Sequence, residues 1–329
     1  MNLRDERGRD LFCQLVEISD VVTENFAAGV MERLGLGYDD LRSIRPDIIY
    51  VSNSGFGATG PYSSFKSWGP IVQAQCGLTG MTGLAGQPPA GIGYSYMDHH
   101  GAYFMAAAIL AAVLHRSQSG EGQWIDMACI EAGALLCGPS VLDASVNGRE
   151  HHFVDSNRGD GPLMVPHGIY PAAGDDEWVA IACREDADWS ALQSVVAIDW
   201  VHEAELATVA GRARHRDEID RQLAKWTSER SRFEVWQAFR EVGVPAAAVL
   251  LPAERVDDDE ARAWGLWPTV THGVIGEVRV DGIPVHLSET DWEIRRGAPQ
   301  LGEHNRQVLG GLLGLDDERL RELLEDGVL

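Results

Sequence analysis

Hydrophobic residues in the first part of the chain alternate between helical spacing and short continuous runs. Helical spacing predicts a helix over 8–19, and the segment 20–23, with Val21 and Val22 at its centre, predicts a short buried strand. The order then repeats, with a helix ending near Gly35, a helix over 39–44 and a strand over 47–52. Helices that alternate with strands are typical of a parallel sheet covered by helices, so we expect an α/β fold.

The pattern changes in the stretch 55–101, which is rich in glycine, proline, serine and threonine. Long irregular stretches inside compact domains are more often functional than idle. An apolar helix with runs of alanine follows at about 99–116, and its small side chains predict that it is buried. A strand over 123–127 and a second apolar helix over 130–142 come next.

Composition turns polar near residue 150, where we expect a domain boundary. A strand at 178–182 opens the second part, charge-rich helical segments continue to about 243, and a β-leaning run extends to 287. We therefore predict a large domain over 1–150, a smaller α+β domain over 151–285, and a tail over 286–329 that returns to the large domain.

Charge excludes two classes of partner. The 329 residues contain 27 Lys and Arg against 50 Asp and Glu, which gives a net charge of −23. Such a field repels nucleic acid and anionic membrane surfaces. Five widely spaced cysteines without a C-x-x-C pair fit reduced thiols, and the charged N-terminus does not resemble a signal peptide. The longest purely apolar run, 102–114, is too short to span a bilayer, so we expect a cytoplasmic protein.

Asp98 is the leading candidate for chemistry, because it lies where the glycine-rich stretch meets the apolar helix. A carboxylate at a helix N-terminus is stabilised by backbone N–H groups and the helix dipole, and can attack an activated acyl group. Asp is also a preferred N-cap residue, and its position alone favours that simpler interpretation.

Other motifs are weaker. Asn25 and Phe26 follow a predicted strand end, where an amide and an aromatic ring could hold a planar group such as adenine; a turn Asn and a core Phe are the simpler interpretation. Histidines suggest a metal site, yet no H-E-x-x-H pattern occurs, which favours solvated or structural roles. These histidines are His99, His100, His151, His152 and His167. Complete dinucleotide, Walker A and G-x-S-x-G motifs are absent from the sequence.

Collinear motifs along nearly the whole chain carry a family resemblance. They are Asp20–Phe26 with Gly29–Gly35, Ile48–Ser52 with Gly55–Gly57 and Gly60–Tyr62, Asp98 before Ala107–Ala112, Gly120–Gln123, Gly243–Ala246 and Ala298–His304. Together these segments resemble the class III CoA-transferases of the CaiB/BaiF type, a family that includes formyl-CoA transferases and α-methylacyl-CoA racemases.

The resemblance implies a Rossmann-like large domain, a smaller α+β domain and an interlocked homodimer. It implies CoA transfer between an acyl-CoA and a carboxylic acid, with coenzyme A present as part of the substrate and neither a metal nor a permanently bound cofactor. Asp98 matches the aspartate that forms an acyl anhydride and then an aspartyl-CoA thioester. Such a site must exclude water, or the intermediate hydrolyses.

The resemblance also implies further site residues. Asn25, Phe26, Arg33 and Leu34 match positions that contact CoA. Ser54 and Phe56 fall on the loop that lines the thioester end, and Gly159 matches a glycine-rich lid.

Two departures from the family keep alternatives open. A racemase histidine is matched here by Trp68, which cannot act as a base; this favours a transferase, with an acyl-CoA racemase or epimerase as the alternative. The family's N-terminal strands and helices, roughly 70 residues or two βαβ-sized pieces, have no counterpart before Met1. An inactive fragment or partner subunit is therefore a second alternative, and a metal-dependent hydrolase using the histidine pairs is a third. The acids exchanged are not identified by the sequence.

Overall fold

The computed structural model describes residues 1–84, 86–148 and 164–329. These residues divide into two compact units, one made of 1–148 with 298–329 and the other of 164–297. Each unit has its own sheet and its own buried apolar cluster.

A three-stranded parallel sheet forms the centre of the first unit. Its strands, in spatial order, are β1 (Val21–Glu24), β2 (Ile49–Ser54) and β3 (Trp124–Ala128). The first four residues of the middle strand are buried, and the apolar run of its first three residues, Ile49–Val51, fits this burial. Because the strands are parallel, their carboxyl ends meet at one edge.

Helices accompany this sheet along the chain. In the described residues up to 148 they are α1 (Glu6–Glu17), α2 (Val30–Arg33), α3 (Tyr38–Ile44), α4 (Gly69–Gln75), α5 (Tyr96–Ser119), α6 (Cys129–Leu136) and α7 (Gly138–Asn147), with a 3₁₀ turn at Thr79–Met81. The parallel sheet with its helices confirms the predicted α/β fold.

The direction of α5 places its first turn near the carboxyl edge of the sheet. Arg116, close to the end of α5, donates to the Oδ1 atom of Asp20 at 2.9 Å and to the backbone oxygen of Asp47 at 3.4 Å. Both aspartates precede strands, so the end of α5 is held at the amino edge. The helix spans about 36 Å at 1.5 Å per residue, and it therefore begins near the opposite edge, where β1, β2 and β3 end.

The structure corrects two expectations about the apolar helices. The helix predicted to be buried, α5, buries only Met97, Gly101 and Ala112, while Tyr103 is 67% and Leu110 70% exposed. Small side chains allow close approach on one face of α5, and the described chain covers only that face. The helix predicted over 130–142 is two helices that meet at a 66° bend, because the Gly-Pro pair at 138–139 starts a new helix.

Two helical segments of the first unit are long enough and apolar enough to span a membrane by length and hydropathy alone. They are α5 by itself and the bent pair α6–α7 taken together, among the residues described. The core helix of a globular protein passes the same test, and α5 packs against β2, β3, α4 and α6. We therefore treat α5 as part of the first unit's fold.

The second unit is built on an antiparallel sheet of β4 (His167–Pro171), β5 (Trp178–Ala182) and β6 (Ala246–Ala248). Helices cover it, and Trp189, Leu192 and Phe239 are among the residues of its core. The helices are α8 (Asp186–Val196), α9 (Val209–Arg214), α10 (Arg216–Ser228) and α11 (Arg232–Glu241), with 3₁₀ turns at Asp199–His202 and Ala204–Ala207.

The β-leaning run predicted over 243–287 is only partly extended. After β6 come α12 (Pro252–Val256) and α13 (Asp259–Trp264), and only then the hairpin of β7 (Thr269–His272) and β8 (Gly276–Arg279). Asp258 caps α13 by accepting from the backbone of Glu260 at 3.0 Å. This local cap overrides the β preference of the surrounding sequence.

The last residues of the chain pack on α1. They form a π-helical turn at Arg306–Gly310 followed by α14 (Gly311–Leu313) and α15 (Asp317–Glu325). Leu323 and Val328 are buried against Leu11 of α1, and Arg7 pairs with Asp326 at 2.5 Å. Residues 298–329 thus belong to the same unit as the parallel sheet.

Candidate active site at the carboxyl edge of the parallel sheet

A cavity of about 750 Å³ opens where β1 and β2 end and α5 begins. Ligands of open α/β sheets characteristically bind at this edge. Its lining comprises strand ends, the loop after β2, and the first turns of α4 and α5. The residues are Thr23–Ala28, Asn53–Phe56, Ser63, Phe65–Gly69, Val72, Asp98, Ala102, Met105 and Cys129.

Asp98 lines this cavity from the first turn of α5. It is the third residue of the helix, and Ser95 occupies the N-cap position, so the N-cap interpretation of Asp98 is wrong. Its side chain is exposed, and within the described ranges its carboxylate has no hydrogen-bonding or ion-pairing partner. The N-terminal end of a 24-residue helix stabilises a negative charge there without occupying the carboxylate oxygens.

A close approach by α4 positions the Asp98 carboxylate. A Cβ atom placed on Gly69, the first residue of α4, would lie 3.0 Å from Oδ2 of Asp98 and 2.9 Å from Oγ of Ser95. Only glycine leaves this space free. The glycine therefore allows the first turns of α4 and α5 to meet around the carboxylate.

Asn53 and Cys129 are two of the polar cavity residues that were not anticipated from the sequence. Asn53 lies in β2, and Cys129 follows β3 directly. The Cys129 thiol donates to Oδ1 of Asn53 with a separation of 3.2 Å. Burial raises the pKa of the Cys129 thiol, and the negative charge of Asp98 raises it further, so the thiol stays protonated and acts as a donor.

Four of the residues suggested as CoA contacts line the cavity. Asn25 and Phe26 follow β1, and Ser54 and Phe56 lie at the end of β2 and just after it. The ring of Phe56 packs edge-on against the ring of Phe65, with centroids 6.1 Å apart. This packing makes one wall of the cavity aromatic.

Three other suggested residues are not part of the described cavity. Arg33 is exposed at the end of α2, and Leu34 packs against the apolar cluster beneath α1 and α3. Gly159 lies outside the described residues. Lys66 and Glu24 do line the cavity and were missed. The rarity of lysine, only Lys66 and Lys225 in the chain, was the one available signal.

Histidines near Asp98 are engaged elsewhere. His99 bonds to the hydroxyl of Tyr94 at 2.7 Å, and His100 to the backbone oxygen of Ala132 at 3.1 Å. Among the described residues no histidine lines the cavity, whereas Trp68 does and is 74% exposed. In the same described residues no three His, Cys, Asp or Glu side chains are grouped to hold a metal, and His151 and His152 lie outside them.

Comparison with known proteins identifies the family to which this chain belongs. The model of "CoA-transferase family III" matches residues 1–305. The chain belongs to CoA-transferase family III. This assignment confirms the resemblance seen in the sequence motifs.

Individual relatives cover nearly the whole chain. Succinyl-CoA–D-citramalate CoA-transferase of Chloroflexus aurantiacus is 31% identical, over 98% of this chain and 80% of that protein. Formyl-CoA:oxalate CoA-transferase of Streptomyces coelicolor is 30% identical, over 100% of this chain and 83% of that protein. A CaiB/BaiF family protein of Brucella suis has the same fold, with a TM-score of 0.85 and 27% identity over 94% of this chain and 80% of that one.

Proposed function

We propose that this family III CoA-transferase moves CoA between an acyl-CoA and a carboxylic acid, with Asp98 as the nucleophile. One observation carries the proposal. An exposed carboxylate, free of protein partners among the described residues, lines a cavity at the first turn of a long helix. Such a carboxylate can attack an acyl-CoA thioester.

The first half of the reaction transfers the donor's acyl group and then CoA to Asp98. A carboxylate oxygen attacks the thioester carbonyl, the C–S bond breaks, and CoA leaves as thiolate, giving a mixed anhydride. The thiolate then attacks the γ-carbonyl carbon of Asp98, and the donor acid leaves as a carboxylate. The product is an aspartyl-CoA thioester.

The second half reverses these steps with the acceptor acid. Its carboxylate attacks the aspartyl-CoA carbonyl, the thiolate leaves, and a new anhydride forms. The thiolate attacks the acceptor's acyl carbon, which releases the new acyl-CoA and restores the Asp98 carboxylate. Phe56, Phe65 and Met105 give the cavity apolar walls that help to exclude water from the anhydride.

For the rest of CoA we propose binding along Asn25, Phe26, Ser54 and Phe56, with Lys66 supplying positive charge for this anionic substrate. We keep Arg33 and Leu34 as proposed contacts for parts of CoA outside the cavity, and Gly159 as the proposed lid residue. The substrates need no resident cofactor, and we place the reaction in the cytoplasm.

We also propose that the enzyme acts as a homodimer. Large apolar side chains are exposed on α5 and α7, including Leu110 and Val146, each 70% exposed. A second copy would remove this surface from water. Light scattering at micromolar protein should give twice the chain's mass, and a monomer mass would contradict the dimer.

The racemase alternative requires a base that removes the α-proton. At the position that matches the racemase histidine the cavity has Trp68, which cannot act as a base, and within the described residues no histidine lines the cavity. In D₂O the enzyme should transfer CoA without incorporating deuterium at the α-carbon of its substrate. Deuterium incorporation that depends on the enzyme would favour the racemase instead. An inactive fragment would show neither transfer nor incorporation.

Two matched variants test the role of Asp98. Asp98→Asn keeps the side-chain size and removes the nucleophile, so CoA transfer should fall by at least about 10³-fold. Glu131→Gln makes the same chemical change at the third residue of another helix, α6, outside the cavity, and should retain activity. Comparable activity in Asp98→Asn and wild type would overturn the proposal.

A further inference from the structure

The polar pair of Asn53 and Cys129 lies in the cavity about one helical turn from Asp98. Gly101 follows Asp98 by three residues, so both lie on the same face of α5, about 5–6 Å apart. A Cβ atom on Gly101 would lie 3.0 Å from Sγ of Cys129 and 3.9 Å from Oδ1 of Asn53. The pair is thus beside the position that the acyl group occupies when it is bonded to Asp98.

The hydrogen bond between the pair fixes which way the Asn53 amide faces. A protonated thiol donates and an amide oxygen accepts, so Oδ1 faces the sulfur and the NH₂ group faces away. Asn53 is half-buried and lines the cavity, and in the described part of the chain its NH₂ group has no protein acceptor. An amide that donates to no protein group is available to a substrate oxygen.

The surroundings make this donor selective. Val72, Ala102 and Met105 line the same cavity with apolar atoms. An acyl chain that carries no oxygen would leave the Asn53 amide without a partner while it displaces water, which costs binding free energy. An oxygen three or four bonds from the reacting carbonyl carbon would avoid that cost.

We propose that Asn53 determines acyl specificity by donating a hydrogen bond to an oxygen on the acyl chain, and that Cys129 is the positioning residue that orients its amide. The inference rests on the proposed CoA transfer at Asp98. This oxygen belongs either to a hydroxyl group or to a second carboxylate, and both groups can accept the same hydrogen bond.

Three four-carbon donors test the proposal with the full chain. Butyryl-CoA has no further oxygen, 3-hydroxybutyryl-CoA has a hydroxyl group, and succinyl-CoA has a carboxylate. Wild type should prefer at least one oxygenated donor to butyryl-CoA by about tenfold or more in kcat/KM. Asn53→Leu, of similar size, should reduce that preference to about threefold or less.

The variants at Cys129 test the positioning role. Cys129→Ser keeps a donor for Oδ1 and should keep the wild-type preference, whereas Cys129→Ala should lose at least about threefold of it. Each readout is a ratio between two donors on one protein, so incomplete folding of a variant cancels. Equal preference in the Ser and Ala variants would refute the role of Cys129.

The outcomes separate this inference from the proposed function. Transfer by wild type with a donor preference that Asn53→Leu leaves unchanged overturns the specificity role alone. The absence of transfer from every donor, with both wild type and variant, overturns the proposed function and this inference with it. If the preference is for succinyl-CoA rather than 3-hydroxybutyryl-CoA, the oxygen recognised is that of a carboxylate.

Discussion

Gly69 and Gly138 form a matched pair for testing how closely the Asp98 carboxylate is held. Each is the first residue of a helix, α4 and α7, and a proline follows each. Alanine would therefore bring the same pre-proline strain and the same gain in helix propensity to both sites. Only the surroundings differ, since nothing lies within 4 Å of a Cβ atom on Gly138.

The expected effect of Gly69→Ala is on rate more than on stability. Its Cβ atom would lie 3.0 Å from Oδ2 of Asp98, where ordinary contacts begin at 3.4 Å. The carboxylate must then move by about 0.4 Å, close to the roughly 0.5 Å within which catalytic groups must be held. We expect kcat to fall about 10–100-fold. The neighbouring atoms are Oδ2 of Asp98, which can move, and Oγ and Cβ of Ser95, of which Cβ is fixed to the backbone. The unfolding free energy should therefore fall by about 1–2 kcal/mol.

Steady-state CoA transfer and urea unfolding, measured on wild type and both variants, give the two quantities. Gly138→Ala should retain wild-type kcat. If Gly69→Ala kept more than half of the wild-type kcat, or if both variants lost activity equally, the close approach of α4 to Asp98 would not matter for catalysis.

Two further predictions concern stability. Arg212 is fully buried and donates to the backbone oxygens of Val165 and Leu206 at 2.8 and 3.1 Å, so Arg212→Met should lower the unfolding free energy by about 2–4 kcal/mol. Arg262 belongs to an exposed ion pair, so the control variant Arg262→Met should change the unfolding free energy by about 0.5 kcal/mol or less. Equal losses for the two variants in urea unfolding would contradict this prediction. Burial acts to raise the pKa of Asp188, but hydrogen bonds from Arg184 outweigh it and hold the pKa below the ordinary value. The Asp188 carboxylate therefore stabilises the fold above about pH 4, and this contribution is lost as pH falls through its lower native pKa. The difference in unfolding free energy between wild type and Asp188→Asn should accordingly be large at pH 6 and become small towards pH 3.

Sequence patterns were sufficient for the parallel sheet because its strands are short and its middle strand, β2, is a largely buried run, although β1 and β3 are only partly buried. The strand predicted over 47–52 corresponds to β2 at Ile49–Ser54, and the helix over 39–44 to α3 at Tyr38–Ile44. Local signals such as apolar runs and glycine stops determine these elements. The motif resemblance then identified the family, which the comparison with known proteins confirms.

Tertiary contacts, which leave little trace in one sequence, account for most of what was missed. Alanine runs showed that α5 could approach a neighbour closely, but not that one face alone would do so. Asn53 is followed by a serine and a glycine in an unremarkable strand end, and Cys129 lies 76 residues later. Their contact exists only because β2 and β3 are adjacent in the sheet.

The bend between α6 and α7 is a miss of another kind. Pro139 is visible in the sequence, and proline is accepted in the first turn of a helix but not in its interior. The apolar periodicity of 130–142 favours one helix, but the proline is the stronger local signal. The proline rule predicts the break after Cys137 without any tertiary information.

The central claim is that Asp98 becomes covalently acylated during CoA transfer. The most direct test incubates the enzyme with acyl-CoA, adds hydroxylamine, and locates the modified peptide by mass spectrometry. Hydroxylamine converts an aspartyl anhydride or thioester into a stable hydroxamate, so the account predicts a hydroxamate on Asp98 that requires acyl-CoA. CoA transfer without any such adduct, or with the adduct on another residue, would contradict it.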